Sequence, residues 1–112
     1  MSNSTPDTPQ STNELPKLDP VAALFALGSD VRWRMIKLLA DGRVLSTSEV
    51  AAAFERDLDG IGKQLRVLAA AGVVDGHAGE DRRQSVYSIP AARRPAPGVI
   101  DYGFCVIDLN KA

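Results

Sequence analysis

Cys105 and His77 are the only thiol and the only imidazole in the chain. One protomer can therefore build neither an internal disulfide nor a cysteine and histidine metal cluster. No histidine or cation stands near Cys105 in sequence to lower its pKa, so it reads as a small buried hydrophobe, and His77 reads as exposed. Asp57 and Asp59 are close enough to be paired carboxylates, but they fall on a solvent-facing turn and make no acid–base pocket. The chain is accordingly read as no enzyme, and no cofactor is implied. What remains is charge and hydrogen bonding from Lys63 and Arg66, from Arg82 and Arg83, and from the hydroxyl run Ser46-Thr47-Ser48. Lysine and arginine number 13 against 14 acids, for a net charge of −1, so the protein has no global basic field and any nucleic-acid contact must come from a local patch. The alternative for the same cations is a solvated helix face and a hairpin edge kept soluble by charge.

The elements that must position these groups follow from periodicity and caps. Residues 1–17 are rich in Ser, Thr, Pro and Asn with almost no apolar side chains, which predicts a disordered tail. Asp19-Pro20 is an N-cap followed by proline at the first helical position, and Val21, Leu24, Phe25 and Leu27 supply the apolar face of a first helix closed by Gly28. Ser29 or Asp30 caps a second helix, with Trp33, Ile36 and Leu39 inward and Asp41-Gly42 at its end. After a short β-like Arg43-Val44-Leu45, Ser46 to Glu49 has capping-box spacing and opens a third helix that carries Val50, Ala53 and Phe54 inward. Asp57 caps a fourth helix, in which Ile61, Leu65 and Leu68 share one face while Asp59, Gly62, Lys63 and Arg66 share another.

Ala71-Gly72 stops that helix, and Val73-Val74 begins a hairpin that turns at Ala78 to Asp81 and returns over Arg82 to Ile89. Residues 90–98 hold three prolines and read as a linker. Beyond them, a strand from Val99 to Leu109 places Ile100, Tyr102, Phe104 and Val106 on one face. Four apolar side chains on an exposed strand need a cover, so they are expected to support self-association. The domain plan is thus a tail (1–17), a folded domain (18–89), a Pro-rich linker (90–98) and a C-terminal strand and tail (99–112).

Four short helices followed by a hairpin, with a brief Glu55-Arg56 turn between the third and fourth, is the order of a helix-turn-helix with a wing. The phrases LFALGSDVRWRMIKLLADG, STSEVAAAF, GKQLRVLAAAGVV and RRQSVYSI resemble, in order, segments of the ArsR-type winged-helix repressors over about residues 18–89. That resemblance implies an α+β, mainly α, winged helix-turn-helix fold, here with an extra C-terminal β-strand. It further implies that the helix after Asp57 lies in the major groove of double-stranded DNA and that the hairpin meets the backbone. Carried over by position, Asp59, Gly60, Lys63 and Gln64 face the groove and Arg66 the backbone, with Lys63 suited to guanine and Gln64 to adenine. Ser46, Thr47 and Ser48 offer amides and hydroxyls to a phosphate, and Arg82 and Arg83 are the wing cations.

The chain departs from that family in three places. Two carboxylates and two glycines occupy the start of the recognition helix, where the acids repel phosphate. The cysteine and histidine pairs of metal-sensing relatives are missing, so neither a metal nor a small-molecule inducer is expected. The terminal helix that many relatives use to dimerise is replaced by the proline-broken segment and the strand. The resulting expectation is a cytoplasmic, homodimeric DNA-binding transcriptional regulator with no membrane span, since no apolar run approaches the roughly 18 residues required. The alternative is a winged-helix protein-interaction module that does not bind DNA.

Overall fold

The computed structural model describes residues 15–111; residues 1–14 of the expected tail lie outside the described residues. Leu15 to Leu18 run without regular structure, and Leu18 packs against the core. Four helices follow: α1 (Pro20–Leu27), α2 (Asp30–Leu39), α3 (Thr47–Phe54) and α4 (Leu58–Ala70). Each begins at a side-chain cap. Asp19 accepts from the Ala22 amide at 3.2 Å, Ser29 from Arg32 at 3.4 Å, and Asp57 from Gly60 at 2.8 Å. At α3 the capping box closes in both directions: the Ser46 hydroxyl accepts from the Glu49 amide at 3.1 Å, and the Glu49 carboxylate accepts from the Ser46 amide at 2.8 Å.

The helices enclose Ala23, Ala26, Leu27, Met35, Ile36, Leu39, Val50, Ile61, Leu65 and Leu68. Three inward assignments change. In α1 the small residues Ala23 and Ala26 face the core with Leu27, whereas Val21, Leu24 and Phe25 face solvent. In α2 the buried stripe is Met35, Ile36 and Leu39; Trp33 lies more than 100° around the helix from its centre and stays only half-buried. In α3 Val50 and Ala51 are buried with Phe54 packed at the edge, and Ala53 is exposed.

Short strands complete the domain. β1 (Leu45–Ser46), β2 (Asp75–Ala78) and β3 (Ser85–Ser88) form an antiparallel sheet in the order β1-β3-β2, with Leu45 opposite Tyr87 and His77 opposite Val86. Gly72, which ends α4 at φ +80°, leaves room that a Cβ would fill: the methyl of Leu18 would sit 2.6 Å from it. Only glycine suits both the backbone angle and this contact.

Residues 90–98, expected as a linker, contain a single 3-10 turn, Ala91–Arg93, and Arg93 is buried. The expected single C-terminal strand is instead a hairpin of β4 (Val99–Asp101) and β5 (Val106–Asp108), with Ile100 opposite Ile107. The reversal occurs at Gly103, φ +89°, whose amide donates to the Asp101 carboxylate at 2.8 Å while the Tyr102 amide donates to the Cys105 carbonyl at 2.9 Å. An aspartate two residues before a glycine is a turn signal, and it outweighs the apolar alternation. Ile100 and Tyr102 therefore enter their own protomer's core, while Phe104 and Val106 lie out near the turn.

Tyr102 fastens this hairpin to the domain, because its buried hydroxyl donates to the Val73 carbonyl at 2.9 Å. Burial raises the phenol well above its ordinary value, Arg93 opposing and Cys105 reinforcing the shift. A folded-state pKa above the unfolded one means that this contribution is fully present below about pH 10 and is lost as pH rises through the folded value. Tyr102→Phe should therefore cost about 1 kcal/mol at neutral pH, and the stability gap between the two proteins should narrow in alkali. Urea unfolding of both proteins at neutral and alkaline pH measures both effects; equal stability at neutral pH would contradict the anchoring role.

Candidate nucleic-acid interface

The outward face of α4 is set by its buried one. Ile61, Leu65 and Leu68 are almost fully buried against the other helices. This turns Asp59, Lys63 and Arg66 to solvent, with Gly62 between them on the same stripe. Gly62 is itself buried; a Cβ there would lie 3.2 Å from the Arg66 guanidinium and 3.6 Å from the Thr47 methyl. Its bare backbone thus lets Arg66 lie back across the helix toward the start of α3.

A groove of about 320 Å³ runs between the start of α3, the first half of α4 and the hairpin. Thr47, Ser48, Asp59, Arg66 and Arg83 line it, joined by Leu58, Gln84, Ser85 and Tyr87. The fold thus gathers candidates from three separate segments into one concavity that carries two guanidinium groups and one carboxylate. Asp57 is the cap of α4 rather than a groove group. Gly60 sits against its carboxylate, within the first turn of the helix.

The hairpin tip is a loop from Gly79 to Gln84, closed by the Gly79 amide donating to the Gln84 carbonyl at 2.9 Å. Arg82 and Arg83 are both exposed there. Asp81 holds Arg83 through its backbone amide at 3.0 Å and its guanidinium at 3.3 Å. These two hydrogen bonds, the backbone one foremost, keep the Asp81 carboxyl below the usual carboxylate range. So exposed a pair is held weakly, and a phosphate can compete for the guanidinium.

Two expected site residues are committed elsewhere. Gln64 lies about 100° around the helix from Lys63, and its side-chain carbonyl accepts from Arg32 Nη1 at 2.6 Å. Arg32 is itself fixed by the carbonyls of Ala26 at 2.7 Å and Phe25 at 3.3 Å. Gln64 therefore ties α4 to α2 through its side-chain oxygen, one of the two groups that a bidentate contact with adenine needs. Ser46 is buried, and its hydroxyl oxygen already accepts from Glu49, so it organises α3 instead of touching a ligand. Conversely, the sequence reading missed Leu58. It stands first in α4, exposed at the groove. The signal was an apolar residue at helix position N1, immediately after the cap and off the buried stripe.

No family profile matches the sequence, and no curated protein matches it. Solved structures do match the fold. HlyU from Vibrio cholerae superposes with a TM-score of 0.56 at 23% identity, over 62% of this chain and 73% of that one. A crystal structure of an ArsR family transcriptional regulator superposes with a TM-score of 0.54 at 22% identity, over 67% of this chain and 77% of that one. The fold is a winged helix-turn-helix. In its terms α3 and α4 are the helix-turn-helix pair, and the β2–β3 hairpin is the wing. The turn between the helices passes through Glu55, whose left-handed φ of 53° lets its amide close the end of α3 on Ala51 and Ala52. At these identities the likeness establishes the fold alone. Among the described residues no helix is long and apolar enough to cross a membrane.

Proposed function

We propose that this chain is a DNA-binding transcriptional regulator that lays the outward face of α4 in the major groove of double-stranded DNA and its wing along the backbone. The observation that carries the reading is the convergence of Thr47, Ser48, Asp59, Arg66 and Arg83 on one groove between α3, α4 and the wing. A further support is that one structure of like fold is itself called a transcriptional regulator. Lys63 is exposed on the α4 stripe, where its ammonium can reach a guanine edge or a phosphate. Arg66, Arg82 and Arg83 supply backbone cations. Thr47 and Ser48 offer hydroxyls and first-turn amides of α3 to a phosphate, and Leu58 offers an apolar contact of the kind that meets a thymine methyl. Asp59 adds selectivity where it accepts from a cytosine amino group, and lowers affinity for every duplex where it repels phosphate.

A second reading, a protein-interaction module without DNA binding, draws on the carboxylate at that same groove. Anisotropy titration with mixed genomic duplexes at low salt separates the two. Lys63→Ala and Arg66→Ala are expected to weaken binding and to lower the slope of log affinity against log salt by about 1 for each phosphate no longer neutralised. Gln64→Ala should leave sequence preference unchanged, because its side-chain oxygen is engaged with Arg32. Wild-type protein that fails to bind any duplex at low salt would favour the interaction module.

We assign self-association to α1 instead of to the C-terminal strand. Ile100 and Tyr102 are 0% and 2% exposed, so they are unavailable to a partner, and only Phe104 and Val106 remain outside. On α1, by contrast, Val21, Leu24 and Phe25 are 76%, 57% and 71% exposed at helical spacing. Val21 and Phe25 border a concavity floored by Ala22, Ala26, Val67, Ala70 and Ala71. Large side chains beside small ones make a surface that a two-fold copy of itself can fill. Phe25→Glu should convert a homodimer to a folded monomer by light scattering. A variant that stays dimeric would remove α1 from the interface.

A further inference from the structure

Arg93 is only 6% exposed, an uncommon place for an arginine. Among the described residues its guanidinium has one hydrogen bond, from Nη2 to the Pro16 carbonyl at 3.0 Å, and it stacks 5.6 Å from the centre of the Tyr102 ring. No carboxylate forms an ion pair with it among those residues. A guanidinium carries five N–H donors in a fixed planar fork, and burying them unpaired is costly. The group borders a cavity of about 410 Å³, whose walls are Leu15, Pro16, Leu18, Tyr102 and Phe104 with Lys17 alongside. The cavity joins the chain just before α1 to the C-terminal hairpin. It is separate from the groove on α4.

We propose that this cavity is a binding site for a small organic monocarboxylate with an apolar body, with Arg93 as the carboxylate anchor. A planar carboxylate matches the edge of a guanidinium, and the pairing supplies the counter-charge that Arg93 lacks among the described residues. Among the described residues the Pro16 carbonyl takes one Nη2 donor and no other acceptor engages the guanidinium. Leu15, Leu18 and Phe104 then cover a short hydrocarbon chain or an aromatic ring. The volume suits a small molecule rather than a peptide. Lys17, exposed at the rim, adds attraction for an anion. Among the described residues no nucleophile or acid–base pair lines the cavity, and the role proposed is binding alone.

The test is calorimetric titration and thermal unfolding of the full chain with hexanoate and benzoate, using hexanol as the uncharged control. Saturable binding of a carboxylate is expected, raising the unfolding midpoint by roughly 8 °C at about 20 times the dissociation constant, with hexanol at least tenfold weaker. Arg93→Met keeps much of the side-chain length and removes the buried charge, so it should stay folded and lose at least tenfold in carboxylate affinity. Phe104→Ala, at a 37% exposed position, should fold normally and weaken benzoate several-fold; it decides the matter if the Arg93 variant does not fold. Three results would overturn the site: no saturable carboxylate binding, equal binding of hexanol, or unchanged affinity in the folded variants.

Discussion

Burial of one face of α4 is the constraint on which the rest depends. Ile61, Leu65 and Leu68 are 1% exposed or less, and the helix packs against α1, α2, α3 and β2. Each such side chain contributes about 1.5–3 kcal/mol by leaving water, so rotating α4 by even one residue would forfeit most of that sum. The outward stripe of Asp59, Lys63 and Arg66 is the geometric complement of this burial. The same constraint orients Gln64 toward α2, where Arg32 receives it. The surface that could read a nucleic acid is therefore fixed by the core, before any ligand is present.

The C-terminal segment works on the same domain from another side. Tyr102 reaches the Val73 carbonyl at the junction between α4 and β2, and Arg93 reaches back to the chain before α1. The first bond ties residues beyond the wing, where the resembled family commonly places a helix, to the helical body, and the second ties them to the segment before it. On the outer face of α1, Val21, Leu24 and Phe25 stay exposed, with the Arg32 guanidinium 5.4 Å from the centre of the Phe25 ring.

Much of this was legible in the sequence because caps and periods are local. Asp19, Ser46 and Asp57 announce helix starts through hydrogen bonds made within three residues, and the spacing of Ile61, Leu65 and Leu68 announces the buried face of α4. Less legible was anything that depends on a distant partner. On α1 the sequence reading put Val21, Leu24 and Phe25 inward, and only the packing of α1 on α2 and α4 selects the face made of Ala23 and Ala26. Arg93 lies in the proline-broken stretch read as a linker, and its burial depends on Pro16 and Tyr102. Gln64 and Ser46 were assigned to the interface by position, whereas their hydrogen bonds are spent on Arg32 and Glu49. The hairpin reversal was readable in principle, from Asp101 and Gly103, but the alternation of Ile100, Tyr102, Phe104 and Val106 concealed it.

The most direct measurement of the central claim is an amide NMR titration of the protein with duplex DNA at low salt. If the core-fixed face of α4 reads DNA, the largest shift changes will fall on Thr47 and Ser48, on Leu58, Asp59, Lys63 and Arg66, and on the wing loop at Arg82 and Arg83, while α1 and the C-terminal hairpin stay still. Changes confined to α1 or to the hairpin, or none at all, would contradict it.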